Sequence, residues 1–571
     1  MKLFQRKIII FSMCLLGAIF TYSGVMAATF SEVVNFNIDE NFDVSDRQQI
    51  TTILIKTAPN LYFYVEKSWW DFQVQGKQNE ILLRLDILST EFQDKIYPTL
   101  TSVFGNEWKP GVDGDSRITV LFHSMKEGSG GYFRSADEYI KLQAPNSNER
   151  EMVYLPISYI DNPQLKVFLA HEFAHLITFN QKNKTFGVEE EVWLNEARAD
   201  YTSTILGYDS AYQGSNLQKR VNDFLQKPYD SLTEWQDTKY DYAVVSLFNR
   251  YLVDHYSINI LIDSLKTKLA GIPSINKALA ENGYKEDFAQ IFTNWTIAVA
   301  INDCSVNLKY CYLTTSLKNL RINPALNFLP IIGNSSLSVS NVIKNWAGNW
   351  QKFIGGNGDL KLEFSSLASL NFQVPYIIYD KDNNYSVKFL KLDRNEKGKI
   401  DIKKFGEDYN SLIIIPSLQT KLSGFDGFEF TYPYSFTVSI TGEVSNEEQA
   451  LIQKLLAQID SLKKQIAAIL AQRGGGGNTG NLCNRLDSNL YLGLQNSDDV
   501  KCLQNFLKLQ GQDIYPEGLV TGIFGSLTKQ AAIRFQEKYA SEILIPVGLL
   551  RGTGYVGEVT RVKINSILNG G

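Results

Sequence analysis

The sequence predicts a multidomain protein: an α+β unit, then a β-sandwich-like middle unit, a short coiled-coil or stalk helix, and a small helical unit at the C-terminal end. Three observations predict this order. The chain has 571 residues, more than one core usually holds when domains run to about 150 residues each. Hydrophobic patterning changes along it, from mixed helix and strand periods, to short β-rich runs, to a heptad, and back to helices. A glycine-rich stretch at 474–481 then sets the last unit apart.

Composition narrows the function classes. With 44% hydrophobic and 20% charged residues the chain is globular rather than collagenous or disordered. Its formal charge of −5 provides no footprint for a phosphate backbone or an anionic membrane surface, so no nucleic-acid partner is expected.

Residues 1–27 read as an export signal. Lys2, Arg6 and Lys7 precede the apolar run from Ile8 to Phe20, and Val25-Met26-Ala27 puts small residues where a signal peptidase cuts. The same stretch also approaches the roughly 20 residues of a membrane anchor. No comparable run follows, so a secreted, soluble remainder is expected. Export permits disulfides. Besides Cys14 in the signal, the cysteines fall as near pairs, Cys304 with Cys311 and Cys483 with Cys502, and local pairing is the simplest expectation, four free thiols the alternative. The absence of C-x-x-C disfavours a cysteine zinc site.

Residues 28–312 form the α+β unit, with a helical pattern from Ile81 to Phe104 and a buried strand from Ser116 to Phe122 after the turn Asp113-Gly114-Asp115. That turn is too short to supply the ligands calcium needs. From 313 to 445 helix signals fade, and β-rich runs at Leu360–Phe364, Tyr376–Tyr379, Leu412–Ile415 and Phe428–Ile440 alternate with Gly, Asn and Asp, as in a sandwich. Over 446–473, Ile452, Leu455, Ile459, Leu462, Ile466 and Ile469 recur at spacings of three and four. That is a seam for a short coiled coil, with self-association as its consequence, or for a stalk helix lying on a neighbour. Residues 482–571 remain as the last unit.

The chemistry concentrates near residue 171. Asn162 and Pro163 suit a helix start, and Leu165, Phe168, Leu169, Phe173, Leu176 and Ile177 supply burial, so this stretch is a core helix. On it His171 and His175 stand four apart and face one way, able to hold one zinc ion, while Glu172 beside them can take a proton from water. A catalytic zinc takes three protein ligands. Glu196, on the helical stretch Trp193 to Tyr201, is the third, and Asp200, four residues on, can accept the remaining ring N–H of a ligand histidine. Glu189-Glu190-Glu191 reads as a solvated run, and His123 and His255 as structural histidines.

H-E-x-x-H followed by N-E-x-x-x-D resembles the gluzincins, the zinc metallopeptidases that include thermolysin, and the wording of residues 171–177 and 193–201 is closest to the hyicolysin-like branch. The resemblance covers about residues 30–300. It implies a zincin-like catalytic domain with His171, His175 and Glu196 as zinc ligands, Glu172 as general base and Asp200 behind the ligands. It also implies a tyrosine donor for the oxyanion, for which Tyr240 is the candidate and Tyr242 lies close by. Gly130-Gly131-Tyr132-Phe133 is either the edge strand on which a peptide lies or simply a glycine turn.

In the last unit, Asp499-Val500 with Leu503-Gln504, then Gly522-Ile523-Phe524-Gly525, Thr528, Ala531 and Phe535-Gln536, resemble the three-helix peptidoglycan-binding domain. Its core is expected to be Val500, Leu503, Leu507, Ile533 and Phe535, and an insertion at about 540–557 departs from the pattern. Together these features predict a secreted, cell-wall-associated zinc endopeptidase acting on polypeptides. The alternatives are a peptidase of peptidoglycan cross-links, and a wall-binding adhesion protein whose zinc is structural.

Overall fold

The computed structural model describes residues 32–442 apart from 330–333 and 426, and residues 485–568 apart from 495–496, 517, 548 and 550, with a few isolated positions between 454 and 465. The expected signal at 1–27, the linker at 474–481, Cys483 and all of the heptad seam except Leu462 lie outside the described residues. The chain divides into two compact units, one ending at Ser445 and one beginning at Asn446. Among the described residues no helix is long and apolar enough to cross a membrane.

The first unit opens with a six-stranded sheet made of β1 (Val33–Asn37), β2 (Gln49–Thr57), β3 (Leu61–Glu66), β4 (Ile118–His123), β5 (Tyr132–Phe133) and β6 (Met152–Pro156), in the order β1-β2-β3-β4-β6-β5. Its middle strands β3, β4 and β6 run parallel. Strand β4 is buried at every position, as its unbroken apolar run requires of a strand covered on both faces. The short β5 closes one edge, antiparallel to β6 with Tyr132 opposite Tyr154. Asp115 anchors the entry to β4 by accepting from the Tyr62 hydroxyl at 2.8 Å and the Arg117 N–H at 3.0 Å.

Helices cover this sheet and continue beyond it. They are α1 (Lys67–Phe72), α2 (Gln75–Glu91), α3 (Tyr97–Phe104), α4 (Leu165–Thr178), α5 (Val192–Ile205), α6 (Asn216–Gln226), α7 (Lys239–Tyr256), α8 (Asn259–Leu265), α9 (Gly271–Glu281) and α10 (Phe288–Ile301). The helical stretch expected from Ile81 to Phe104 is present, but Phe92–Ile96 is a π-helical turn between α2 and α3. Pro98 near the start of α3 has no N–H to continue the α ladder, and the wider turn absorbs the missing bond.

The β-rich segment contributes nine strands to one hydrogen-bonded sheet. Two runs, antiparallel except where Ala325–Leu329 pairs parallel with Gln351–Gly355, meet among the described residues through the parallel pair Phe405 and Tyr409 and enclose a shared core of Phe353, Leu362, Ile378, Leu412, Phe436 and Val438. The expected sandwich therefore takes the form of a single sheet that nearly closes on itself. The boundary at 312/313 is a change of secondary structure rather than a break in packing. Trp346 packs edge-on to Phe288 and Phe292 of α10, the Trp350 indole donates to the Thr296 carbonyl at 2.9 Å, and both tryptophans belong to the core of the helical region. A disulfide joins Cys304 to Cys311 beside this junction. The run expected from Phe428 onward becomes strand only at Tyr432, because the preceding residues turn aside onto the helical region.

The second unit carries helices at Asp498–Leu509, Ser526–Lys538, Ala540–Ile543 and Glu558–Leu568. Val500, Leu503, Leu507 and Phe535 are buried as expected, whereas Ile533 is half-buried and packs against Gly552 and Gly554. Cys502 is disulfide-bonded. Gln504 binds the turn before the second of these helices, donating to Thr528 Oγ1 at 2.9 Å and accepting from the Gly522 N–H at 2.9 Å. Gln536 repeats this 32 residues on, donating to Thr560 Oγ1 at 3.1 Å and accepting from the Gly554 N–H at 2.9 Å. The end of the supposed insertion is thus a second copy of the same glutamine-held glycine turn.

Candidate metal centre

Helix α4 is apolar on nearly every side, with Leu165, Leu169, Ala170, Phe173, Leu176 and Ile177 all buried. It therefore lies inside the unit and carries its polar residues into a cleft. Its cap falls at Gln164, two residues after the expected Asn162, whose Oδ1 accepts the Gln164 N–H at 2.8 Å in the turn that precedes the helix. His171 and His175 stack edge to face, ring centroids 4.9 Å apart. Glu196 from α5 reaches between them, one carboxylate oxygen 3.1 Å from His171 Nε2 and the other 3.5 Å from His175 Nε2. One ligand atom from each of the three lies within 4.8 Å of the other two. Two imidazoles and a carboxylate at that spacing suit zinc.

The electrostatics follow from burial around one negative charge. Burial works against a charged His171, but the hydrogen bond and charge of Glu196 outweigh it and raise the histidine to about 9. At His175 burial prevails and holds the ring below its ordinary value. Glu196 resists its own burial through both histidines and stays below the usual carboxylate range. Glu172 is only 4% exposed and is pushed up to about 8, mainly by burial, with His171 opposing. Its Oε2 has no hydrogen-bond partner. Behind it, Gly131 has φ of +146°, and a Cβ there would lie 2.8 Å from the Tyr154 carbonyl oxygen and 2.9 Å from Glu172 Oε1. Of the two adjacent glycines, Gly131 is the one that lets strand β5 pass this close to the carboxylate.

Asp200 is placed differently from expectation. It accepts from Arg220 Nε and Asn216 Nδ2, each at 2.9 Å, rather than from a histidine ring, and acts on His171 through its charge alone. Asn195 lines the cleft with His175, and neither Asn195 Oδ1 nor His175 Nδ1 has a hydrogen-bond partner among the described residues. The tyrosine also changes. Tyr240 lies between the ammonium groups of Lys227 and Lys239, 5.3 and 5.0 Å from its ring, and does not line the cleft. Tyr242 does line it, with its ring 6.5 Å from that of His171 and its hydroxyl 3.1 Å from Asp237. Two residues along a helix amount to a rotation of about 200°, so only one of the pair can face α5. Tyr242 shares that face with Ser246, which bonds Asp200, and Asn249, which donates to the Ala197 carbonyl at 2.8 Å. This stripe of polar residues at spacings of four and three is the signal that distinguishes the two tyrosines in the sequence. Should the chain hydrolyse peptides with Tyr242 as an oxyanion donor, Tyr242→Phe lowers kcat by at least about tenfold, such a donor typically being worth 10²–10³, and Tyr240→Phe leaves kcat unchanged; stopped-time assays of both variants check this.

The cleft has a volume of about 320 Å³. Phe133 of β5 stacks on His175 at 6.4 Å and Trp235 packs edge-on to Tyr242 at 4.9 Å, so apolar walls flank the His171, His175 and Glu196 cluster. The acidic run beside it is not solvated as expected. Glu189 is exposed at the cleft, but Glu190 is buried between Lys182 at 2.9 Å and Arg198 at 2.7 Å, and accepts the Gly271 N–H at 2.7 Å. Glu191 accepts from the Trp193 indole at 2.8 Å. These carboxylates fix the start of α5, and with it the height of Glu196. His123 is buried between Asp43 and Tyr132, and His255 lies against the Cys311 carbonyl, both in structural settings.

No family model matches the chain, and comparison with curated proteins finds no match. Among solved structures it is similar to the pre-peptidase C-terminal domain of collagenase from Bacillus anthracis, at 8% identity over 20% of this chain and 96% of that chain, with a TM-score of 0.14. It is likewise similar to the periplasmic inhibitor of g-type lysozyme from Aeromonas hydrophila, at 8% identity over 20% of this chain and 98% of that one, TM-score 0.14. Likenesses at those scores carry no argument about activity.

Proposed function

We propose that the chain is an exported zinc metallopeptidase of the gluzincin type, with a zincin-like catalytic region, a sandwich-like middle region and a three-helix peptidoglycan-binding module that holds it at the cell wall. The observation that carries this reading is a buried carboxylate with one oxygen unpartnered, Glu172 Oε2, beside the cluster of His171, His175 and Glu196. A purely structural site has no use for such a group and is usually closed by a fourth ligand.

His171, His175 and Glu196 would hold the zinc. Bound there, zinc supplies a Lewis acid that polarises the scissile carbonyl and makes water acidic enough to attack near neutral pH. Glu172 takes a proton from the attacking water and returns it to the leaving amine nitrogen. Tyr242 donates to the carbonyl oxygen as negative charge grows there. Strand β5, at the sheet edge, offers backbone groups to an extended substrate. The wall-binding resemblance also favours a second substrate class, the peptide cross-links of peptidoglycan, because tethering raises the enzyme's concentration near them.

The test is hydrolysis of an unfolded protein by purified residues 28–571. Cleavage that a chelator abolishes and added zinc restores is the expected result. A zinc-loaded, folded protein that cleaves wall fragments but no polypeptide shifts the reading to the cross-links, and one that cleaves neither overturns it.

A further inference from the structure

Phe428 and Phe430 are 63% and 71% exposed, and they pack edge to face at 5.7 Å on a loop of the β-rich region. Leu422 on the same loop is also exposed. Large apolar groups displayed together in this way mark interaction surfaces. The loop is firmly held. Phe425 is buried in the core of the helical region, the Gly424 N–H donates to Glu191 at 2.8 Å, the Trp235 N–H donates to the Gly427 carbonyl at 3.2 Å, and the Glu429 N–H donates to Glu234 at 3.2 Å. Lys344 pairs with Glu234, and Lys421 with Glu429. The two stretches that grip the loop, around residues 189–192 and 235–237, both line the metal cleft. The loop therefore packs against two stretches that supply cleft residues, although none of its own residues lines the cleft.

We infer that Phe428 and Phe430 form an apolar subsite for an extended, unfolded polypeptide substrate, engaging a bulky apolar side chain beyond the scissile bond. This rests on the peptidase reading above and names the substrate it suits best. Rings already fixed in place cost little entropy to engage, and binding energy gained away from the reacting bond can be used to position it. The loop's attachment to the two stretches that supply Glu189, Glu190, Val192, Trp235 and Asp237 to the cleft favours a substrate over other occupants. Two phenylalanines offer about 150–250 Å² each, short of the roughly 800 Å² per partner that a stable dimer buries.

The experiment compares the full exported chain with its Phe428→Ser/Phe430→Ser variant on a reduced, carboxymethylated protein and on an eight-residue fluorogenic peptide too short to reach the loop. We expect KM for the long substrate to rise about tenfold with kcat unchanged, and both constants for the short peptide to stay as they were. Phe428→Tyr/Phe430→Tyr, which keeps the ring faces, should retain the wild-type KM. In parallel, affinity for the carboxymethylated protein is measured in Glu172→Gln, with and without the serine pair, where a tenfold weaker Kd is expected. That binding arm needs no turnover, so absent cleavage sinks the peptidase reading while the loop is still decided. Equal effects on both substrates, no effect on either, or a change confined to oligomeric state or vesicle binding would overturn the inference.

Discussion

Glu172→Gln is expected to abolish hydrolysis, lowering kcat by about 10³, within the 10²–10⁴ that a positioned acid–base group contributes, while zinc content stays at the wild-type level. The substitution keeps the side chain's volume in a site where Gly131 leaves no spare room, so packing is preserved, and it touches none of the three ligands. It removes only the ability to carry a proton. A second consequence separates this from general damage. In the metal-free protein Glu172 is raised from its ordinary 4.5 to about 8, so between these values the folded state holds a proton that the unfolded state has released. Folding stability contributed by that retained proton is lost as pH rises through this window. Glutamine has no such dependence. Chelated Glu172→Gln should therefore gain in melting temperature over chelated wild type as pH rises from about 5 to 8, then hold its lead. An active variant, or two parallel stability curves, would remove Glu172 from the role proposed for it.

The pairing of His171 with His175 was legible because its spacing is a property of one helix. His171 and His175 lie four apart on a continuous apolar stretch, and any α-helix through it brings them together. Glu196 and Asp200 could be assigned to one face of α5 by the same rule, but Asp200's partner could not, because Arg220 comes from α6 and is set by tertiary packing. The tyrosine was misplaced for a related reason: Tyr240 and Tyr242 are equivalent until the axis of α7 is fixed, and what fixes it is the contact of Ser246 and Asn249 with α5. Glu190 looked solvated because a run of three acids usually is. Its burial depends on Lys182 and Arg198, whose approach no local pattern records. The β-rich runs were visible as alternation, whereas Phe428 to Thr431 were read as the start of a strand because aromatic residues suit both a pleated surface and an exposed platform.

Glu196→Gln is expected to weaken zinc binding by more than about 100-fold, since even groups behind the ligands are worth 10–100-fold, and to abolish hydrolysis with it. Direct titration with zinc reads the first effect and peptide turnover the second. The amide preserves volume but loses the charge that holds His171 near 9, and so the metal-free protein should be destabilised in a way that identifies the lost interaction. His171 is raised above its ordinary 6.5, so its contribution is complete below 6.5 and disappears as pH climbs through 9. Glu196 is lowered from 4.5, so its contribution is present above 4.5 and lost on further acidification. The cost of the substitution must then be greatest between about 4.5 and 6.5 and vanish above about 9. Denaturant unfolding of chelated wild type and Glu196→Gln at pH 6 and pH 9.5 measures it directly. A pH-independent loss would point to packing alone, and an unchanged zinc affinity would show that the third ligand is some other group.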